Sequence, residues 1–208
     1  MRGNKGSAKS AISLSLPEAN VFIRERAESL LEKSCIQGLA SRPDFLDLQT
    51  QVGPVTYRSA SGALAEHFID IVFTDLAGCR TAFLVKPWHR ASSQRFRGIA
   101  NAVARAAVPN YADEVRILTE ADFARSDATN ASMFLQFSRF PDPEADQALS
   151  EAACSFEGVF TIDRLIRGTG LGGRAFRSAV KAIFRGELTL KSFGTIDRWT
   201  LVAREEVA

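Results

Sequence analysis

The sequence predicts a mixed α/β domain followed by a smaller helical domain that closes with two short strands. Three observations predict it. Two apolar runs, His67–Thr74 and Arg80–Val85, flank a connection at 75–78 that holds Asp and Gly, the pattern of a β-hairpin. Helix-like and strand-like stretches alternate around this hairpin from 17 to 123. Beyond 141 the pattern turns helical, and two of its helices are joined by a short glycine-containing turn.

At 208 residues, with 46% of them hydrophobic, the chain is long enough for one large domain or two small ones with a real core. The net charge of +2 says nothing by itself about nucleic acid, so the distribution of charge has to carry that question. Three cysteines, Cys35, Cys79 and Cys154, are widely spaced and form no CxxC or Cys/His cluster, so neither a disulfide framework nor a zinc site is expected. No apolar run approaches membrane-spanning length. The basic start MRGNKGSAKS lacks an apolar segment of secretory type. A soluble cytoplasmic protein is the expectation.

Residues 1–16 are small, polar and basic, which predicts a flexible arm. Pro17 to Ala40 reads as one helix, with Pro17 in its first turn and Phe22, Ala27, Leu30, Leu31 and Leu39 on a rough apolar face. Glu28 and Glu32 then share a face, and Pro43 marks the stop. Strands follow at 45–52 and 55–59, around Gly53–Pro54. Asp70 sits inside the first run of the hairpin, and Lys86 at the exit of the second, nearly opposite it. A carboxylate and an ammonium in apolar strands must be paired or bound to something. Either a metal-holding acid beside a charge-stabilising cation, or a plain ion pair at a sheet end, satisfies that demand.

A basic stretch follows, with Lys86, His89, Arg90, Arg95 and Arg97. A helix is expected from Ser92 to Ala107, a short strand at 114–118, and a further helix capped by Thr119 with Glu120 and Asp122 in its first turn. PDPEAD at 141–146 reads as a linker or helix start, so a domain of 17–140 and a second of 141–208 are expected. In the second domain the helices fall at 144–156, 161–170 and 172–188, and strands around Gly194 form a wing on the resulting helix-turn-helix. Arg174, Arg177, Lys181 and Arg185 recur at three- and four-residue steps along the third helix. Between Asp163 and Arg198 there are eight Lys/Arg against three Asp/Glu. Such a stripe is the footprint of a helix near DNA phosphates, of a solvated face, or of a protein-docking surface.

Taken together, AESLLE at 27–32, Gln51, HFIDIVFTDLAGCRTAFLVKP at 67–87 and VRILTEADF at 115–123 resemble the TnsA family of transposon-end endonucleases. That family lies within the restriction-endonuclease-like PD-(D/E)XK superfamily. Its pattern has a helix Glu, a Gln some nineteen residues later, a hairpin of the form H-x-x-D…V-E-V-K-P, and a later R-x-L-T-E-x-D. Residues 150–203 are similar to the small winged-helix domain often attached to it. The resemblance implies a restriction-endonuclease-like mixed sheet flanked by helices and followed by a winged helix-turn-helix. It implies hydrolysis of a DNA phosphodiester, with Glu32 and Asp70 as ligands of Mg²⁺ or Mn²⁺ and Lys86 acting on the attacking water or the transition state. It implies DNA as partner, together with a transposase and an ATPase regulator, and His89, Arg90 and Arg95 on the phosphate backbone. The sequence departs from the pattern at two places. Leu84 stands where the family has an acid, and Ile69 where it has a proline. Glu66 flanks the same hairpin as a substitute acid. The departure at Leu84 leaves a second implication open, a nuclease fold kept only for binding DNA or docking a partner.

Overall fold

The computed structural model describes residues 10–16, 21–27 and 29–204, with side chains from Ser29 onward. The chain divides into two compact units, the first ending at Ala124 and the second carrying everything from Arg125 onward.

The N-terminal region differs from the expected arm and long helix. Strands β1 (Ser10–Leu16) and β2 (Val21–Ala27) form a two-stranded sheet. Val21, Phe22 and Ile23 are β-branched or aromatic, and this local preference prevails over the loose helical spacing. Residues 1–9 of the expected arm lie outside the described residues, as do 17–20 and Glu28 of the expected helix. Helix α1 (Leu30–Ala40) begins later than expected, where the Ser29 hydroxyl accepts the Glu32 N–H at 3.2 Å. It buries Cys35, Ile36, Leu39 and Ala40 and packs on three strands of the main sheet.

That sheet has the order β3-β4-β5-β6, with β3 (Phe45–Arg58), β4 (Leu64–Asp75), β5 (Arg80–Val85) and β6 (Glu114–Leu118). The two strands expected at 45–52 and 55–59 are one strand, β3, whose register against β4 shifts between Val52 and Val55. Gly53 permits the shift: its φ is 139°, and a Cβ there would stand 2.9 Å from the Val55 nitrogen. The β4–β5 turn is closed by the Asp75 carboxylate, which accepts the N–H groups of Ala77 and Cys79 at 2.9 Å each. Strand β6 lies parallel to β5, pairing Thr81 with Glu114 and Val85 with Leu118. The required crossover is supplied by α2 (Trp88–Ala91) and α3 (Gln94–Ala107). Ile69 to Phe73 and Ala82 to Val85 are buried at consecutive positions, which means that both faces of the central hairpin are covered. From α3 come Ala100, Val103 and Ala107, packed with Val72, Ala82 and Leu84.

No helix starts at Thr119. Its N–H and hydroxyl both go to the Asp122 carboxylate, at 2.7 and 2.8 Å, and close a turn instead. The next helix, α4 (Arg125–Phe137), belongs to the second unit, whose start thus precedes the 141 expected from the linker-like PDPEAD. The reason is aromatic packing. Phe134 stacks on Phe184 at 4.7 Å and Phe137 meets Phe176 edge-on at 6.2 Å.

The rest of the second unit is α5 (Pro143–Cys154), β7 (Val159–Thr161), α6 (Ile162–Thr169), α7 (Gly173–Phe184), β8 (Leu188–Leu190) and β9 (Leu201–Arg204). Asp142 caps α5 with Pro143 in its first turn. Thr161 caps α6 by accepting the Arg164 N–H, and Gly170 ends it in a left-handed conformation. The three strands form an antiparallel sheet, β7-β9-β8, and share a core of Leu149, Phe160, Leu165, Val180, Ile196 and Val202 with the helices. Among the described residues, no helix is long and apolar enough to cross a membrane.

Candidate functional site

The hairpin and α1 gather the charged groups of the first unit. Asp70, on β4, is buried, and its Oδ2 accepts the Val85 N–H at 2.8 Å and the Lys86 Nζ at 3.2 Å. Two donors fix this carboxylate, one of them the backbone of the strand that carries Lys86. Lys86 is only partly exposed, so its charge is held beside the acid rather than dispersed in water. Glu32 is buried on the first turn of α1, where its Oε1 accepts the Ser29 hydroxyl at 3.3 Å.

Cys35 ties these groups to one neighbourhood. Its thiol is pushed up to about 12, first by burial and then by the negative charges of Asp122, Glu32 and Asp70. It is therefore an inert thiol that senses three carboxylates at once. Asp122, the third of them, has no place among the candidate residues that the sequence suggests. The signal available was the acid closing the TEAD turn after β6. His67 is likewise absent from them, although it leads the hairpin motif. Burial lowers its imidazole below the ordinary value, with Asp70 opposing the shift and Lys86 adding to it, so the ring is neutral at pH 7. Its Nε2 is buried without a hydrogen-bond partner among the described residues.

Leu84 is fully buried in the core with Val72, Ala82 and Val103, so the position that holds an acid in the resembled pattern here serves packing. Glu66 is exposed on β4 opposite Thr56. Gln51 takes a φ of 54°, a left-handed conformation for a non-glycine residue, just before the β3 register shift. Among the described residues, no three His, Cys, Asp or Glu side chains are gathered as a metal-binding set. Mg²⁺ needs no such set, because one or two carboxylates with waters and substrate phosphate oxygens suffice. By the chemistry of their donor atoms, Glu32 and Asp70 are hard oxygen ligands of the class that Mg²⁺ or Mn²⁺ takes.

The basic segment after Lys86 is solvent-facing. His89, Arg90, Arg95 and Arg97 are exposed on α2 and α3, and no ion pair among the described residues engages Arg90, Arg95 or Arg97. Four cationic or titratable side chains thus stand within a dozen residues of the Asp70–Lys86 pair.

The stripe on α7 behaves otherwise. Arg174 grips Asp142 with two hydrogen bonds, at 2.8 and 2.7 Å, and Glu144 with a third at 2.6 Å. Lys181 is 1% exposed and bonds Asp146 at 2.7 Å, and Arg185 lies 3.7 Å from the same carboxylate. Arg177 is half-buried. The expected DNA-facing stripe is therefore largely turned toward α5, because the acids of PDPEAD neutralise it. Periodicity identifies one face of a helix but not what covers it. The matching signal was that run of acids, which the sequence reads as a linker or helix start without showing which face it would cover.

Two carboxylates of this unit are held below the usual range. Arg174 brings Asp142 to about 2, and Arg198 followed by Arg167 lowers Asp163. Both folded values lie below the unfolded one, so their contribution is complete above the ordinary carboxylate range and is lost as pH falls through it toward about 2. The melting temperature is expected to drop steeply below pH ~4. Asp142→Asn should flatten part of that slope in a pH series of thermal melts.

The chain matches no protein-family model and no curated protein.

Proposed function

We propose that the chain acts on DNA as a TnsA-like endonuclease, hydrolysing a phosphodiester at a transposon end. The observation that carries this reading is the buried Asp70 of β4 paired with Lys86 directly after β5, with a second buried acid, Glu32, on α1 and an exposed basic α2–α3 segment following Lys86 in the chain. A four-stranded sheet with an antiparallel hairpin, a parallel last strand and flanking helices supports the restriction-endonuclease-like fold. Helices α5, α6 and α7 with an antiparallel three-stranded sheet support a winged helix in the second unit.

In this reading Glu32 and Asp70 would hold Mg²⁺ or Mn²⁺, and the ion would supply Lewis-acid chemistry for phosphodiester hydrolysis. Val85 fixes Asp70 through its N–H, and Asp70 in turn aims the Lys86 ammonium. Lys86 stabilises negative charge on the phosphoryl oxygens or orients the attacking water. Arg90, Arg95, Arg97 and His89 hold the backbone beside the scissile phosphate. A transposase and an ATPase regulator are the partners of such an enzyme.

A second reading is favoured by one residue. Leu84 in the core removes an acid from the site, which suits a protein that keeps the fold for binding DNA or docking a partner. A plasmid-nicking assay with Mg²⁺ or Mn²⁺, run beside a DNA-binding titration, separates the two. Nicking establishes the enzyme, and binding without nicking establishes the second reading. In the titration, Arg90→Ala with Arg95→Ala should reduce the slope of log K against log salt by about 2, roughly one unit for each phosphate that no longer meets an arginine.

A further inference from the structure

Trp88 directly follows the Lys86–Pro87 exit of β5 and is 56% exposed. It does not ride on a loose loop. Its N–H is bonded to Glu120 Oε2 at 2.8 Å, which ties α2 to the turn after β6. Arg90 N–H and Ala91 N–H both reach the Pro87 carbonyl, at 2.8 and 3.0 Å, and the Ser93 hydroxyl reaches the Arg90 carbonyl at 2.7 Å. The indole is thus presented to solvent from an ordered backbone. His89 and Arg90, on the same short helix, are exposed as well. The other tryptophan, Trp199, is different, since the Arg198 guanidinium already lies 5.2 Å over its ring.

An exposed indole on an ordered backbone, among exposed cations, is the chemistry that receives an unpaired base. The cations hold the phosphates and the ring stacks on the π-face of whichever base is available. In a continuous duplex the bases are stacked on one another and offer no free face. The geometry points to Trp88 as a base-stacking platform beside the Asp70–Lys86 pair, which makes the preferred substrate DNA with an unpaired base at that place: a single strand, a junction with a duplex, or a flipped nucleotide. This rests on the reading of α2–α3 as the DNA surface and adds the state of the DNA it takes.

The test uses the full chain in a Trp199→Phe background, where Trp88 is the only remaining tryptophan. Its fluorescence is titrated with a single-stranded oligonucleotide, a duplex with an unpaired base and a fully paired duplex, and circular dichroism verifies folding. Quenching by the first two, with affinity for them reduced about tenfold or more in Trp88→Ala and largely kept in Trp88→Phe, is the expected result. DNA binding that is abolished in Arg90→Ala/Arg95→Ala yet neither quenches Trp88 nor responds to Trp88→Ala overturns the stacking platform and leaves the DNA surface standing. Absence of any DNA binding by the wild-type chain overturns the DNA surface itself, and the platform with it.

Discussion

Asp70→Asn is expected to reduce Mg²⁺-dependent plasmid nicking by roughly 10²- to 10³-fold or more while the protein stays folded. The substitution preserves shape, so an asparagine oxygen still accepts the Val85 N–H that the native carboxylate holds at 2.8 Å. What disappears is the negative charge. Without it the proposed site loses one of the two anionic donors it would offer a hard cation, and Lys86 loses the partner 3.2 Å away that fixes its ammonium. Nicking rate, divalent-ion binding by calorimetry and thermal melting should be measured on the same preparations. Loss of nicking and of ion binding with the melt nearly unchanged supports the assignment. Nicking at the wild-type rate would remove Asp70 from the chemistry and leave it as an ion pair closing the hairpin.

Lys181→Ala is expected to destabilise the second unit strongly, by about 3 kcal/mol. The lysine is 1% exposed on α7, and its ammonium sits 2.7 Å from Asp146 on α5. Truncation opens a cavity and strands a carboxylate whose Oδ1 already has no hydrogen-bond partner among the described residues. Arg185, 3.7 Å from the same carboxylate, offsets part of the loss. Lys181→Met should refill the volume and recover only some stability, whereas Lys181→Met with Asp146→Leu should recover most of it, since both charges are then gone. Denaturant titration of the three variants checks the order. If Lys181→Ala unfolds no more easily than the wild type, the buried pair is not what joins α5 to α7. DNA affinity unchanged across the series would agree with a stripe that serves packing rather than phosphates.

Much of the architecture was readable locally. The hairpin at 67–85 follows from two apolar runs and an Asp/Gly turn, and the Asp75 carboxylate closes that turn as such residues do. Thr161 and Gly170 bracket α6, and Asp142 with Pro143 opens α5, each through side-chain or backbone preferences that act within a few residues. Local preference misled where two signals competed. VFIRERA carries enough charge to resemble a helix face, yet its β-branched and aromatic start sets it in a strand. Thr119 has the right neighbours for a helix cap, yet Asp122 takes its N–H and hydroxyl.

What the sequence by itself determined is therefore the set of elements fixed by short-range chemistry: turns, caps, apolar runs, and the placing of Asp70 and Lys86 at the ends of one hairpin. What only the tertiary structure decided is which charges meet. Arg174, Lys181 and Arg185 read as a free cationic stripe until α5 laid Asp142, Glu144 and Asp146 against it. Arg90, Arg95 and Arg97, with a weaker periodic pattern, face water and make no ion pair among the described residues. The physical reason is that a charge takes its meaning from what lies within a few ångströms of it. Partners some thirty residues apart in the chain are brought that close only by the fold.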